Sequence, residues 1–236
     1  ISMDSDRIYL SMHDYIKTML ALLEFDNVKA APTPLSQPID PDSPALSYTQ
    51  RRKFMTAVGC IGWLVSTGRP DIAYAHSRVS QHMANPTESA WSAVKRICRY
   101  LKGASHYVLS APLHEDSSWQ FYCDSDFAGN TEPQNHRRSQ NGYIAVENGA
   151  AVLWGSKVSS VAFAHPDIGE AHADTSSGAA EVYAAANATY EFLHLSYIAD
   201  EMALEEFPVP IPLQLDNTTA EAFANNSAFK SKLKHI

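Results

Sequence analysis

The hydrophobic rhythm of this chain changes once, near residue 107, and any fold it adopts must accommodate that change. Upstream, apolar residues recur at helical spacing. Tyr15, Ile16, Met19, Leu20 and Leu23 predict an amphipathic helix over 13–25. Phe54, Val58, Ile61, Leu64 and Val65 predict a second over 48–67, closed by Gly68 and Pro70. A third is expected over 71–84 with Asp71 as its N-cap, and a fourth over 87–102 between Thr87 and Gly103. Between the first two lies AAPTPLSQPIDPDSPALS, with five prolines and no period, which reads as a surface loop.

Downstream, the period becomes that of strands. Trp119, Phe121 and Cys123 alternate with polar residues, predicting a strand that ends in Asp124-Ser125-Asp126. Residues 141–157 read as two strands joined at Glu147-Asn148-Gly149, a hairpin turn signal. Residues 158–174 look irregular. An alanine-rich helix is expected next, capped by Ser176 or Ser177 and with Glu181 one turn in. A strand ending at Asp216 and a short helix over 217–226 complete the order. Helices followed by three strands, a helix, a strand and a helix make an α+β (α/β) chain with a mixed sheet and flanking helices. The expected division is a mostly helical segment, 1–112, and a second domain, 113–236.

Charge follows the same division. The net charge of −8 argues at first against a nucleic-acid partner. Residues 1–112, however, hold 12 Lys/Arg and 9 Asp/Glu, and residues 113–236 hold 6 and 17. The acidity is confined to the second part and needs an explanation there. No apolar run reaches the roughly 20 residues of a membrane span, so no membrane partner is expected. Cys60, Cys98 and Cys123 form no CxxC pair, which points to reduced thiols and an intracellular setting rather than a disulfide scaffold or zinc site. The chain does not begin with Met or with a signal peptide, and it reads as part of a longer polypeptide.

Asp124, Glu181 and Asp216 lie on three separate predicted elements and could meet at one sheet edge. Clustered carboxylates repel unless a cation neutralises them. Hard ions such as Mg²⁺ take oxygen ligands, and a pair of them can drive phosphodiester hydrolysis. Spacing alone leaves Asp126 as a competitor to Asp124, since alternation puts both on one face.

Longer motifs add a family. TGRPDIAYAHSRVSQHMANPTESAWSAVKRICRYLKG resembles the TRPDIAYAVN and HW-x-AVKRILRYLKGT stretches of copia-type LTR retrotransposon Pol polyproteins, and CDSDFAG resembles their SDADWAG. HRRSQNGYI is similar to DRRSTSGYV, SSGAAEVYAAANA to SSTEAEYRALA, and LQLDNTTAEAFANN to LYCDNQSAIALAKN. The resemblance spans nearly the whole chain. It implies a reverse transcriptase thumb/connection segment followed by a ribonuclease H-like domain. The implied activity is two-metal hydrolysis of the RNA strand of an RNA–DNA hybrid. Asp124, Glu181 and Asp216 would be catalytic and would hold two Mg²⁺ ions, with Mn²⁺ as an alternative metal and Asp126 as an outer ligand. The implied partners are the hybrid and the palm and fingers of the reverse transcriptase; the implied location is a cytoplasmic particle and/or the nucleus.

Further candidates are less specific. Arg137 and Arg138 could grip phosphates or simply solvate a turn. Ser176 and Ser177 could touch the 2′-hydroxyl-lined groove of a hybrid. Lys95, Arg96, Arg99 and Lys102 could follow a nucleic-acid backbone or form an exposed helix face. Lys230, Lys232, Lys234 and His235 could assist near the site. The sequence departs from the family in three places. The expected fourth carboxylate falls just past Ile236, so the second domain is expected to be C-terminally truncated. Ala179 replaces a family Glu, and 158–174 is about ten residues long beyond the usual connection. No polymerase YxDD motif is present. The alternative expectation is therefore a catalytically silent module that binds nucleic acid or protein, from a decayed or domesticated element.

Overall fold

In the computed structural model, the described residues are 1–113, 118–126, 138–160, 173–204 and 207–216; for 173–179 only the backbone is considered. The chain divides into two units, Ile1–His114 and Glu115–Ile236.

The first unit packs four helices on one core. Strands β1 (Ser2–Met3) and β2 (Arg7–Ser11) precede α1 (His13–Leu22) and α2 (Tyr48–Thr67). A 3₁₀ turn (Pro70–Ile72), α3 (Ala73–Ser80), α4 (Glu88–Gly103) and β3 (Val108–Pro112) follow. Ser47 and Gln50 cap α2 reciprocally, each side chain accepting from the other's main-chain N–H. The Thr87 hydroxyl accepts from the Ala90 N–H at the start of α4, as its position predicts. Ile16, Phe54, Ile61, Leu64, Val79, Val94, Ile97 and Leu101 are fully buried between the helices, so the helical period marks the core face of each.

Two features of this unit differ from expectation. The segment 71–84 is not one helix capped by Asp71. It is a 3₁₀ turn leading into α3, and no side chain caps α3. The Asp71 carboxylate is instead taken by Arg69, at 2.8 and 2.7 Å. The unit also contains a three-stranded sheet, β1-β2-β3, that helical periodicity does not reveal. Its central pairing joins Arg7–Ser11 to residues 108–112, about a hundred positions away.

Among the described residues, the second unit is a four-stranded mixed sheet with one long helix. β4 (Trp119–Asp126), β5 (Gln140–Glu147) and β6 (Ala150–Val158) form an antiparallel meander. Asn148 and Gly149, with φ of 48° and 79°, make the predicted hairpin turn. α5 (Ala173–Glu201) then crosses to β7 (Leu213–Gln214), which pairs parallel to β4, giving the order β6-β5-β4-β7. The fold is thus α+β with a mixed sheet, in the class expected of a ribonuclease H-like chain. Buried Ala180, Ala184 and Ala188 run along α5 at four-residue spacing and let the helix approach the sheet closely. Phe192 completes the stripe, with its ring 5.0 Å from that of Phe121.

The helix begins earlier than predicted. Ala173-Asp174-Thr175 contains neither Gly nor Pro, so nothing stops the helix short of them. Ser176 and Ser177 are therefore interior helix positions rather than N-caps, and Glu181 lies about two turns in rather than one. The predicted helix over 217–226 lies outside the described residues. Cys60, Cys98 and Cys123 are free thiols. No helix among the described residues is long and apolar enough to cross a membrane.

Candidate metal centre

The strand register brings the two aspartates together. Phe121 pairs with Leu213 and Tyr122 with Gln214, in parallel. Continuing that register, the third residue after Phe121 is Asp124 and the third after Leu213 is Asp216. Two parallel strands thus present carboxylates side by side at their carboxyl ends, where sites form in such sheets. Glu181 comes from α5. Its position, three residues before Ala184 and seven before Ala188, puts it on the sheet-facing stripe. It is the one charged side chain among the described buried residues of that helix, with 6% exposure.

One carboxylate oxygen from each of Asp124, Glu181 and Asp216 lies within 4.8 Å of the others. Asp124 and Asp216 are exposed. Glu181 Oε2 is buried and has no hydrogen-bond partner. Burial and the charges of Asp124 and Asp216 push the Glu181 carboxyl up to about 7, with the Ser125 main chain acting in the opposite direction. The same field reaches Cys123. Burial, then Glu181, Asp124 and Asp216, push its thiol up to about 12. An orphaned, buried carboxylate oxygen facing two further carboxylates is a poor arrangement for a protein alone and a good one for a divalent cation. Oxygen-only donors are the set that Mg²⁺ or Mn²⁺ takes. The residues present therefore fit a hard metal ion.

Asp126 shares the exposed face of β4 with Asp124, as alternation predicts, but does not join the three-carboxylate cluster. It stands beside Gln140 of β5. Sequence alternation could not separate the two aspartates; the parallel pairing with β7 does.

The other candidates fall in different places. Arg137, His235, Lys230, Lys232 and Lys234 lie outside the described residues, as do the side chains of Ser176 and Ser177. Arg138 is half-buried, and its Nε has no hydrogen-bond partner. The basic face of α4 works largely within its own unit. Arg99 Nε donates to the Lys29 carbonyl at 2.8 Å, and Lys102 Nζ to the Asp26 and Val28 carbonyls at 2.6 and 2.8 Å. Arg96 donates to Thr33 Oγ1 at 2.8 Å, and Lys95 sits over the Trp91 ring at 5.7 Å. Arg96, Arg99 and Lys102 thus fasten the segment 26–33 that leads into the proline-rich loop, a role that the sequence did not reveal. Ser125 and Asn141, also unanticipated, form a buried hydrogen bond beside Asp124.

Comparison with known proteins agrees in lineage. No family model matches, and no solved structure matches. Among curated proteins, the chain is 29% identical over 235 residues to the retrovirus-related Pol polyprotein from transposon RE2 of Arabidopsis thaliana. It is 30% identical over 235 residues to the Pol polyprotein from transposon RE1 of the same plant. It is 28% identical over 239 residues to that from transposon TNT 1-94 of Nicotiana tabacum. Each match covers 97% or 98% of this chain and 15% to 17% of the relative. The chain thus spans about a sixth of the length of these relatives. On these matches, which run almost from end to end, the chain belongs to the family of retrovirus-related Pol polyproteins of copia-type retrotransposons.

Proposed function

We propose that the second unit is a ribonuclease H that hydrolyses the RNA strand of RNA–DNA hybrids. The observation that carries this is the buried, unpartnered Glu181 Oε2 facing Asp124 and Asp216. Asp124, Glu181 and Asp216 would hold two Mg²⁺ ions. When bound, such a pair supplies an activated water and stabilises the departing 3′ oxygen of a phosphodiester. Glu181 sits on a long helix locked to the sheet, so its carboxylate offers a fixed ligand rather than one that must be ordered on binding. Asp124 and Asp216, on adjacent strand ends, face solvent and leave the cluster open to a polyanion. The acidity of the second part is then a property of the site, since the cations reverse its sign toward substrate.

The products would be a 3′-hydroxyl and a 5′-phosphate. The partners would be the hybrid and the remaining reverse transcriptase regions of the polyprotein, inside the cell.

A hybrid-cleavage assay with Mg²⁺ tests this. The chain, if necessary extended by an Asp after Ile236, is expected to cut the RNA strand. Asp124→Asn is expected to lower the rate on the order of 10³-fold, because several kcal/mol of metal-borne stabilisation is lost. Absence of cleavage by both chains sinks the nuclease. Hybrid binding without cleavage supports a silent binding module in its place.

A further inference from the structure

The metal reading leaves one ligand unexplained, and the inference below rests on that reading. Glu181 is held by burial, but Asp124 is exposed. Its opposite position on β5 is Gly142, where an added Cβ would meet nothing within 4 Å. A cross-strand side chain, which ordinarily steadies its strand neighbour, is therefore missing at Asp124. Beyond it β4 has only two more residues, so this is a strand end and prone to fray.

The adjacent residue supplies what is missing. The Ser125 N–H donates to Asp124 Oδ1 at 2.8 Å, which orients the carboxylate. The Ser125 side chain turns to the other face of β4, where Phe121 and Cys123 are buried. There its hydroxyl donates to Asn141 Oδ1 at 3.0 Å. Ser125 and Asn141 are direct partners in the β4–β5 register, with 7% and 6% exposure. A buried hydroxyl–amide pair is a costly substitute for the apolar contact that this face otherwise uses. Its effect is to clamp the strand end at the residue whose N–H holds Asp124.

We propose that Ser125 and Asn141 are positioning residues that fix the Asp124 carboxylate for the cation. They act through Asp124 and, by the Ser125 main chain, on Glu181 beside it. Groups one step removed from a metal ligand typically change metal affinity 10–100-fold when altered. Because this clamp acts through the strand, the low end of that range applies.

The test is Mn²⁺ titration of the full chain, followed by electron paramagnetic resonance, with metal-free thermal unfolding measured in parallel. Ser125→Ala and Asn141→Ala are expected to weaken Mn²⁺ binding about tenfold. Ser125→Thr keeps the hydroxyl on a strand-compatible side chain and is expected to restore it. Should either alanine variant fail to fold, Asn141→Gln, which displaces the acceptor by one methylene, gives the same readout. Lowered metal-free stability with wild-type Mn²⁺ affinity would show a purely structural pair and overturn the proposal. A wild-type chain that takes up no Mn²⁺ would overturn the metal reading itself, and the proposal with it.

Discussion

The first unit buries Arg69 and the second buries Glu181, and these two charges are treated in opposite ways. In the first unit Arg69, 1% exposed, is gripped by both oxygens of Asp71 and flanked by the rings of Tyr100 and Tyr107 at 6.0 and 5.7 Å. The Tyr100 hydroxyl also donates to Asp71, at 2.8 Å. Burial raises the Asp71 carboxyl, but the hydrogen bonds from Arg69 and Tyr100 outweigh that and hold it below its ordinary value. In the second unit Glu181 is as deeply placed, yet it faces two charges of its own sign. The contrast separates architecture from a site. Arg69 keeps one unpartnered nitrogen, Nη1, but its charge is matched by an opposite one and belongs to the architecture; a buried charge surrounded by like charges is completed by something from outside. The Arg-Pro-Asp run that helps mark the family is, on this comparison, a structural device.

Breaking the matched pair should have the larger effect. Asp71→Ala leaves the Arg69 guanidinium buried without its carboxylate, and is expected to cost the first unit about 3 kcal/mol in urea unfolding. A loss below about 1 kcal/mol would mean that the aromatic rings alone suffice to hold Arg69.

Breaking the unmatched site should act in the opposite direction and by less. Without divalent cations, Glu181→Gln is expected to stabilise the second unit at pH 8. The sign follows from proton binding. The native carboxyl is raised to about 7 from 4.5, so the native state binds more protons than the unfolded state between those values. Wild-type stability then falls as pH rises from about 4.5 through 7, and the penalty is complete above that. Its upper bound is about 3 to 4 kcal/mol, and solvent reaching the exposed Asp124 and Asp216 screens it well below that. The Gln variant lacks this slope, and saturating Mg²⁺ should remove it from the wild type. Unfolding followed from pH 5 to pH 8, with and without Mg²⁺, checks all three. A wild type whose metal-free stability is level over that range would remove the contrast between the units.

Much of this was legible in the residues, for identifiable reasons. Long helical periods, the Thr87 cap and the Asn148-Gly149 turn are local features, and local chemistry determines them. Glu181 was legible through the family resemblance of SSGAAEVYAAANA, whereas its place on the buried alanine stripe came only with the fold. Asp71 misled because a cap and an ion-pair partner look alike in sequence, and only the fold shows Arg69 within reach. The β2–β3 pairing was hidden because Arg7–Ser11 is short and partly polar and its partner is distant along the chain. The choice between Asp124 and Asp126 also needed a long-range fact, the parallel pairing of β4 with β7. The Ser125–Asn141 hydrogen bond needed the β4–β5 register. Apart from the Arg69–Asp71 pair, which is local, what sequence withheld was the register of one strand against another.

The account rests on Glu181 being a buried acid that awaits a cation, and its carbon-13 side-chain carboxyl resonance reports this directly. Titrated by nuclear magnetic resonance without divalent ions, it should show a midpoint near 7, and saturating Mg²⁺ should drive that midpoint below the ordinary 4.5. A metal-free midpoint at 4.5, or one that Mg²⁺ leaves in place, would contradict the account.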